Sequence, residues 1–154
     1  MNGASTFHGL HSHGFPNLLR ISVAQTGSTF NYTHIASEIA THIAYIVRTC
    51  LDQNIKIIEA EEEAENNWVD KVVTLAGPLR SFLTACTPSF LNREGKIDEA
   101  ELKNFNYGDF SGGIKYIEIL RSWREKGDMQ GLSKIYGAEQ GSEAVTSSPM
   151  VSAP

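Results

Sequence analysis

Hydrophobic positions spaced three and four residues apart predict three helices, each with one buried face. In residues 33–52 the apolar positions are Ile35, Ile39, Ile43, Ile46, Val47 and Cys50. In residues 60–76 they are Ala64, Trp68, Val72 and either Leu75 or Ala76. In residues 112–126 they are Ile114, Ile117, Leu120 and Trp123.

Local signals mark the ends of these helices. Thr33 is predicted to cap the first helix, because its hydroxyl can accept a hydrogen bond from a first-turn amide. The second helix begins with acidic residues, which suit the positive end of a helix. Gly77 and Pro78 are expected to end the second helix, and Gly127 is expected to end the third.

Two short stretches have the composition of strands. The run "NLLRISVA" at 17–24 follows Gly14 and Pro16 and is rich in Leu, Ile and Val, so it predicts a buried strand. "IKII" at 55–58 predicts a second strand. Since "LLRISVA" has no obvious partner strand, we expect exposed apolar surface there, and hence dimerisation or aggregation. The expected fold class is α/β and mainly helical.

The rest of the chain is less regular. Residues 79–85 predict a short helix followed by a loop, and "DEAELKNF" at 98–105 predicts a helical turn or two. The domain organisation inferred is an N-terminal lead at 1–13, a body at 14–137 and a disordered tail at 138–154, since the tail is small, polar and proline-containing.

Composition narrows the class of protein. With 154 residues and 41% hydrophobic content, the chain is long enough for one domain. A net charge of -5 without a basic run argues against nucleic acid or an anionic membrane as partner. Neither a secretion signal nor a membrane span is visible, and Cys50 and Cys86 have no paired spacing. We therefore expect a cytoplasmic protein with reduced thiols.

Motifs that suggest a metal are outweighed by simpler interpretations. "FLNREGKIDEAE" imitates a calcium loop but has Phe90 where a carboxylate must ligate the ion, so it predicts a solvated turn. His8, His11 and His13 lie in a Gly-rich start without further ligands, so mobile histidines are expected. The acidic run 59–65 predicts a solvated helix start. No metal site follows.

Catalytic motifs are also missing. Cys86 has no base assignable from the sequence, so a buried inert thiol is the expectation. The sequence contains no GxSxG, no GxGxxG and no phosphate loop, and it therefore has no recognisable backbone cradle for a dinucleotide pyrophosphate. The catalytic residues stay unassigned.

Five segments in order carry a resemblance to a known family. They are "FHGLHSHGFPNLLRIS", "QTGSTFNYTHIASEIATHIAYIV", "IEAEEEAENNWVDKV", "CTPSFLNREGK" and "IEILRSWREKGDMQGL". Together they resemble the C-terminal portion of Baeyer-Villiger type flavin monooxygenases, particularly fungal ones. The resemblance covers about residues 7–136, and it implies an incomplete C-terminal segment of an enzyme with two dinucleotide-binding domains.

The resemblance implies a cofactor and a reaction. Family members bind FAD and NADPH and insert an oxygen atom next to a ketone carbonyl, which gives an ester or a lactone. The part resembling residues 15–47 supplies the last strand of the FAD domain, then a loop and a helix whose amino end approaches the flavin ring. The implied cofactor-binding residues are Gln25, Asn31, Tyr32 and Thr33. A helix N-terminus can stabilise negative charge on a reduced flavin.

Departures from the family pattern limit what the chain is expected to do alone. Val23 and Ala24 stand where the family usually has Gly-Pro, and their side chains could crowd a backbone that lies close to the ring. Without dinucleotide motifs, the chain by itself is expected to bind neither FAD nor NADPH. The partners expected are a full-length homologue, an upstream half or a second copy, with a hydrophobic ketone as substrate.

Three functional classes stay open from the sequence. The chain is a truncated or split monooxygenase of fungal secondary metabolism, or a non-catalytic binding or accessory protein that retains the helical scaffold, or a decaying gene product without activity. Absorbance of bound flavin in the purified protein would distinguish the first class.

Overall fold

A computed structural model describes residues 3–27, 31–76, 81–82, 85–89, 94–95, 103–104 and 112–138. The elements within these residues are α1 (Tyr32–Asp52), β1 (Ile55–Ala60), α2 (Glu62–Leu75), α3 (Gly112–Lys126) and β2 (Leu132–Tyr136). The three helices and the strand at 55–58 are confirmed, with ends shifted by one or two residues.

The helices and a small sheet enclose one hydrophobic core. Strands β1 and β2 pair antiparallel, with Ile58 opposite Lys134 and Ala60 opposite Leu132. Helix α1 contacts both α3 and β1. The helical side chains in the core include Ile35, Ile39, Ile46, Trp68, Val72, Tyr116, Ile117, Leu120 and Trp123. The helical periodicity in the sequence therefore marks most of the buried positions, but Val47, predicted to be buried on α1, is 44% exposed.

One position on α3 differs from the prediction. Ile114 was expected inside but is 69% exposed, whereas Tyr116 is fully buried. The hydroxyl of Tyr116 donates to the His8 carbonyl at 2.8 Å, which satisfies its polar end inside the core. The buried face of α3 is thus rotated toward Tyr116. Gly127, just after this helix, has φ +74°, as its predicted role at the helix end requires.

The buried strand predicted at 17–24 is wrong. Among the described residues, 17–24 form no strand, and Asn17 has φ +58°. Asn17 instead bonds the outer side of β1: its amide donates to the Ile58 carbonyl at 2.8 Å, and its side-chain oxygen accepts from the Ile58 amide at 3.0 Å. The four large apolar side chains exposed between residues 15 and 23 are Phe15, Leu18, Ile21 and Val23. The predicted apolar exposure is confirmed; we call these four residues the apolar patch.

The N-terminal residues belong to the core. Phe7 and Leu10 are 8% and 0% exposed, and the Phe7 and His11 backbones form a bridge. His8 and His11 are 5% and 3% exposed, so the prediction of mobile histidines is wrong for both. Buried contacts with residues distant in sequence hold this segment, and its composition alone gives no sign of them.

Several predictions fall outside the described residues. Gly77 and Pro78 lie there, although α2 does end at Leu75 with Ala76 buried as its C-cap. Of the predicted helix at 79–85, the described residues Ser81, Phe82 and Ala85 are helical. The calcium-like loop is described only at 94–95, the stretch 98–105 only at 103–104, and the tail only at 138.

Candidate functional site

The four residues implied by the resemblance occupy two different environments. Gln25 is fully buried at φ +62°, and its Nε2 donates to the carbonyls of Ala4 and Lys103, both at 2.8 Å. Its Oε1 accepts from the Thr6 hydroxyl. The side chain of Gln25 thus ties the loop to the N-terminal segment. Whether Gln25 also approaches a cofactor stays a prediction.

Asn31, Tyr32 and Thr33 lie together at the exposed start of α1. The cap is Asn31, whose Oδ1 accepts from the His34 amide at 3.2 Å and from the Thr33 hydroxyl at 2.6 Å. The prediction of Thr33 as the cap is therefore wrong: an asparagine two residues earlier reaches the amide first. No acidic residue lies in the first turn, so no carboxylate of that turn opposes an anionic group at the positive helix end.

The loop before α1 is packed tightly against α3. A side-chain carbon at Gly27 would lie 2.9 Å from the Gly113 Cα and 2.9 Å from the Tyr116 Cβ. The Thr26 hydroxyl donates to the carbonyls of Ser22 and Val23. Val23 is 59% exposed, so this side chain extends outward. The backbone at Thr26 and Gly27 is therefore held against the core.

A second feature was missed by sequence reasoning. Five buried side chains meet where α1, α2, α3 and the N-terminal segment converge, and we call them the histidine cluster: His8, His11, His42, Trp68 and Trp123. The ring centroids of His8 and Trp68 are 4.9 Å apart, as are those of His42 and Trp123. Helical spacing had already predicted Trp68 and Trp123 to be buried, and it could also have found His42, which continues the buried stripe of α1; it could not have found His8 and His11.

The imidazoles of the histidine cluster are held neutral. Burial lowers the pKa of His11 to about 4. Burial first, then Arg124 and His11, lower the pKa of His42 to about 3. Arg124 is 3.3 Å from Nδ1 of His42; since a guanidinium only donates, the proton of His42 lies on Nε2. That Nε2 and the Nε2 of His11 are buried without a partner among the described residues.

A buried carboxylate anchors the N-terminal segment to α2. Glu65 is 8% exposed and accepts from the Ser5 hydroxyl and from the His13 amide. The expectation that the whole acidic run is solvated is therefore wrong at Glu65. The exposed His13 ring has its pKa raised by its hydrogen bond to the Ala60 carbonyl, and further by Glu59.

The described residues contain neither a candidate metal centre nor a candidate membrane span. No group of three or more His, Cys, Asp or Glu side chains within them is arranged to hold a metal ion. None of the described helices is both long and apolar enough to cross a membrane.

Comparison with known proteins gives the family. No protein-family model matches the chain. A Baeyer-Villiger monooxygenase of Stachybotrys chlorohalonatus is 43% identical over 131 residues, which is 85% of this chain and 21% of that protein. Pentalenolactone D synthase of Streptomyces arenae is 39% identical over 130 residues, 84% of this chain and 22% of that protein. This chain is homologous to one segment of the Baeyer-Villiger monooxygenases.

The solved structures agree with this assignment. A polycyclic ketone monooxygenase from Thermothelomyces thermophila superposes with a TM-score of 0.77 at 27% identity, covering 86% of this chain and 21% of that one. A steroid monooxygenase bound to NADP has the same fold over 88% of this chain, with a TM-score of 0.67 at 21% identity. The chain spans about one fifth of the length of these Baeyer-Villiger monooxygenases and their curated relatives.

Proposed function

We propose that this chain forms the flavin-side segment of a Baeyer-Villiger type monooxygenase and lies at the C-terminal end of that enzyme. The supporting observation is the 43% identity that extends over 85% of the chain while covering 21% of the relative. The remaining four fifths would supply the sites for FAD and NADPH. A ketone would be the substrate, and the relative named for pentalenolactone suggests secondary metabolism as the setting.

The start of α1 is where the chain would meet the flavin. Asn31 caps the helix, the first turn carries no acidic residue, and Tyr32 and Thr33 are exposed. When bound, FAD would supply the oxygen-transfer chemistry. The chain's own part is to hold the helix start in place and to present the partly positive first-turn amides to negative charge. These features fit an anionic or electron-rich group.

The apolar patch is the surface that would pack against the rest of the enzyme. Its members are between 46% and 59% exposed and lie within nine residues of one another. Large apolar side chains that are exposed repeatedly along one segment suit an interface. The partner we propose is the complementary polypeptide with the dinucleotide-binding domains, in the same or in a separate chain.

Complementation tests the proposal. The isolated chain should neither retain FAD nor oxidise NADPH, because the contacts that dominate dinucleotide binding come from a βαβ unit. A polycyclic ketone monooxygenase from which the matching segment has been deleted should recover FAD and ketone-stimulated NADPH oxidation when the chain is added. Stoichiometric FAD in the isolated chain, or no recovery in the mixture, would contradict the proposal.

Substitutions in the mixture test the two surfaces separately. Thr33→Ala should lower the recovered rate, whereas Thr41→Ala, an exposed threonine further along α1, should not. Ile21→Ser should weaken assembly. Leu51→Ser should leave assembly unchanged, because Leu51 is 73% exposed but lies outside the apolar patch, near the end of α1. If Thr33→Ala and Thr41→Ala had equal effects, the start of α1 would not be the flavin-side surface. If Ile21→Ser and Leu51→Ser had equal effects, the apolar patch would not be the assembly surface.

A second candidate function is a non-catalytic binding protein. The observation that favours it is the hydrophobic core, which includes the N-terminal residues and leaves an aromatic-walled cavity beside it. Such a protein would bind a small molecule without flavin and would restore no NADPH oxidation in the mixture.

A further inference from the structure

A cavity of about 390 Å³ opens beside the histidine cluster. Phe7, Trp68, Trp123 and His8 line its inner part, and each is at most 8% exposed. Pockets that hold small molecules in proteins typically measure about 300–1,000 Å³. The cavity is therefore large enough for a compound of one or two rings.

The tryptophans give the cavity apolar walls. The indole N–H of Trp68 donates to the Gln25 carbonyl at 3.1 Å, and that of Trp123 donates to the Gln130 carbonyl at 2.8 Å. Since both polar atoms already have partners, the indoles can offer an occupant only their carbon faces and edges. Apolar rings of the occupant would bind there by surface burial and ring contacts.

His8 supplies a polar group at the inner end. Its ring stacks on Phe7 with centroids 3.9 Å apart, and within the described part of the chain its nitrogen atoms form no hydrogen bond. Burial, followed by His42, His11 and Lys71, lowers the pKa of His8 well below its usual value. The imidazole is therefore neutral near neutral pH and has one donor and one acceptor nitrogen available for an occupant.

The rim is polar and carries both signs of charge. Glu61, Glu63 and Lys71 lie there with Asn67 and Gln130, and all five are exposed. Because these charges are exposed to water and screened by salt, they attract a cation or an anion only weakly. A charged group pushed inward would lose its hydration against aromatic walls and a neutral imidazole. The site therefore favours uncharged compounds.

We propose that this cavity binds an uncharged compound of one or two rings that carries one hydrogen-bonding oxygen. The rings would lie against Trp68 and Trp123, and the oxygen would bond to His8. Trp68 also holds the Gln25 carbonyl, so the site borders the loop that leads to α1. The inference requires neither FAD nor the complementary polypeptide and is independent of the proposed monooxygenase function.

Tryptophan fluorescence of the isolated chain gives a direct binding assay. The chain has two tryptophans, and both line the cavity. The probe is borneol, a bicyclic alcohol that does not absorb where indole does. Its charged analogues are bornylammonium and camphorsulfonate. Borneol should give a saturable change with one site per chain, and the two ions should bind at least about tenfold more weakly.

Matched variants locate the binding. Asn67→Phe should fill the rim and weaken borneol binding by about tenfold or more, whereas Asn66→Phe, on the same exposed side of α2 but outside the cavity, should leave it within about twofold. His8→Phe should cost about three- to tenfold through the lost hydrogen bond. Because residue 8 has φ +56°, circular dichroism must first show that this variant is folded.

Three results would overturn the proposal. They are the absence of a saturable change with borneol, equal binding of borneol and the two ions, and equal weakening by Asn66→Phe and Asn67→Phe.

Discussion

Acidification should unfold this chain because it buries neutral imidazoles. The pKa values of His11 and His42 are lowered from 6.5 to about 4 and about 3 in the folded state. Between those values and the unfolded value, the unfolded chain binds more protons than the folded chain. Stability should therefore be highest above about pH 6.5 and should fall as the pH decreases toward about 4.

The magnitude follows from linkage. At about pH 5 the unfolded histidines are almost fully protonated, whereas the folded ones are mostly neutral, so each contributes a loss of about 2 kcal/mol relative to about pH 7. The two together give about 4 kcal/mol, a large part of the roughly 5–15 kcal/mol of a typical domain. His8 acts in the same direction. The pKa of Glu38 is lowered by Arg121, so its contribution is lost only in more acidic solution.

Urea unfolding followed by tryptophan fluorescence at about pH 5, 6 and 7, at constant ionic strength, measures this loss. His42→Gln should reduce the loss between about pH 7 and 5 by about 2 kcal/mol, even if it lowers stability at neutral pH. His34→Gln, which replaces an exposed histidine on the same helix, is the control. An unchanged midpoint on acidification, or the same loss in His42→Gln as in the unsubstituted chain, would refute the reasoning.

Three further predictions concern the helix cap, a tight turn and the apolar patch. Asn31→Ala should cost about 1 kcal/mol of unfolding free energy in urea, and no cost would show that the cap is not formed. Gly131→Ala should lower the melting temperature far more than Gly14→Ala, because both have positive φ but only at Gly131 would the added carbon lie 2.8 Å from the Phe7 ring. Sedimentation should show concentration-dependent self-association that Ile21→Ser reduces, and a monomer at all concentrations would contradict it.

Helical periodicity predicted most of this fold because the helices bury one face each. Ile35 and Ile39, or Leu120 and Trp123, recur at the spacing of one helix side, and the core forms where those sides meet. Ile114 does not follow this pattern. Tyr116, two residues later, is buried in its place, because its hydroxyl can donate to the His8 carbonyl inside the core. Composition alone does not show such a partner.

The sequence predicted a strand at 17–24 that does not form and missed the burial of two residues of the histidine cluster, for different reasons. A strand needs neighbours for its backbone, and within the described residues β1 is paired with β2 and is bonded at its other side by Asn17. The pattern "LLRISVA" indicates that this segment could join a sheet, but it does not indicate whether a partner strand is available. His8 and His11 were predicted to be mobile because they lie in a Gly-rich start. His8 is buried by contacts with His42 of α1 and Trp68 of α2, which are far away in sequence.

The candidate site could be predicted only in part. The start of α1 follows from the helical pattern and lies at residues 31–33, as the periodicity indicated. The cavity does not follow from any one pattern, because its walls come from the N-terminal segment, α2, α3 and the turn at Gln130 and Gly131. Neither Trp68 nor Trp123 differs in spacing from an ordinary core residue.

The N-terminal segment should be indispensable to the fold, although composition set it apart from the body of the chain. Leu10 is fully buried in the core, and cutting a buried leucine to alanine typically costs about 2–5 kcal/mol. Leu10→Ala should therefore greatly lower the urea midpoint, whereas Leu18→Ala, at a leucine 46% exposed in the apolar patch, should change stability by about 0.5 kcal/mol or less. A chain that starts at residue 14 should lose cooperative unfolding altogether, since it lacks Phe7 and Leu10 together. Cooperative unfolding of that shortened chain with an unchanged midpoint would show that the core closes without these residues.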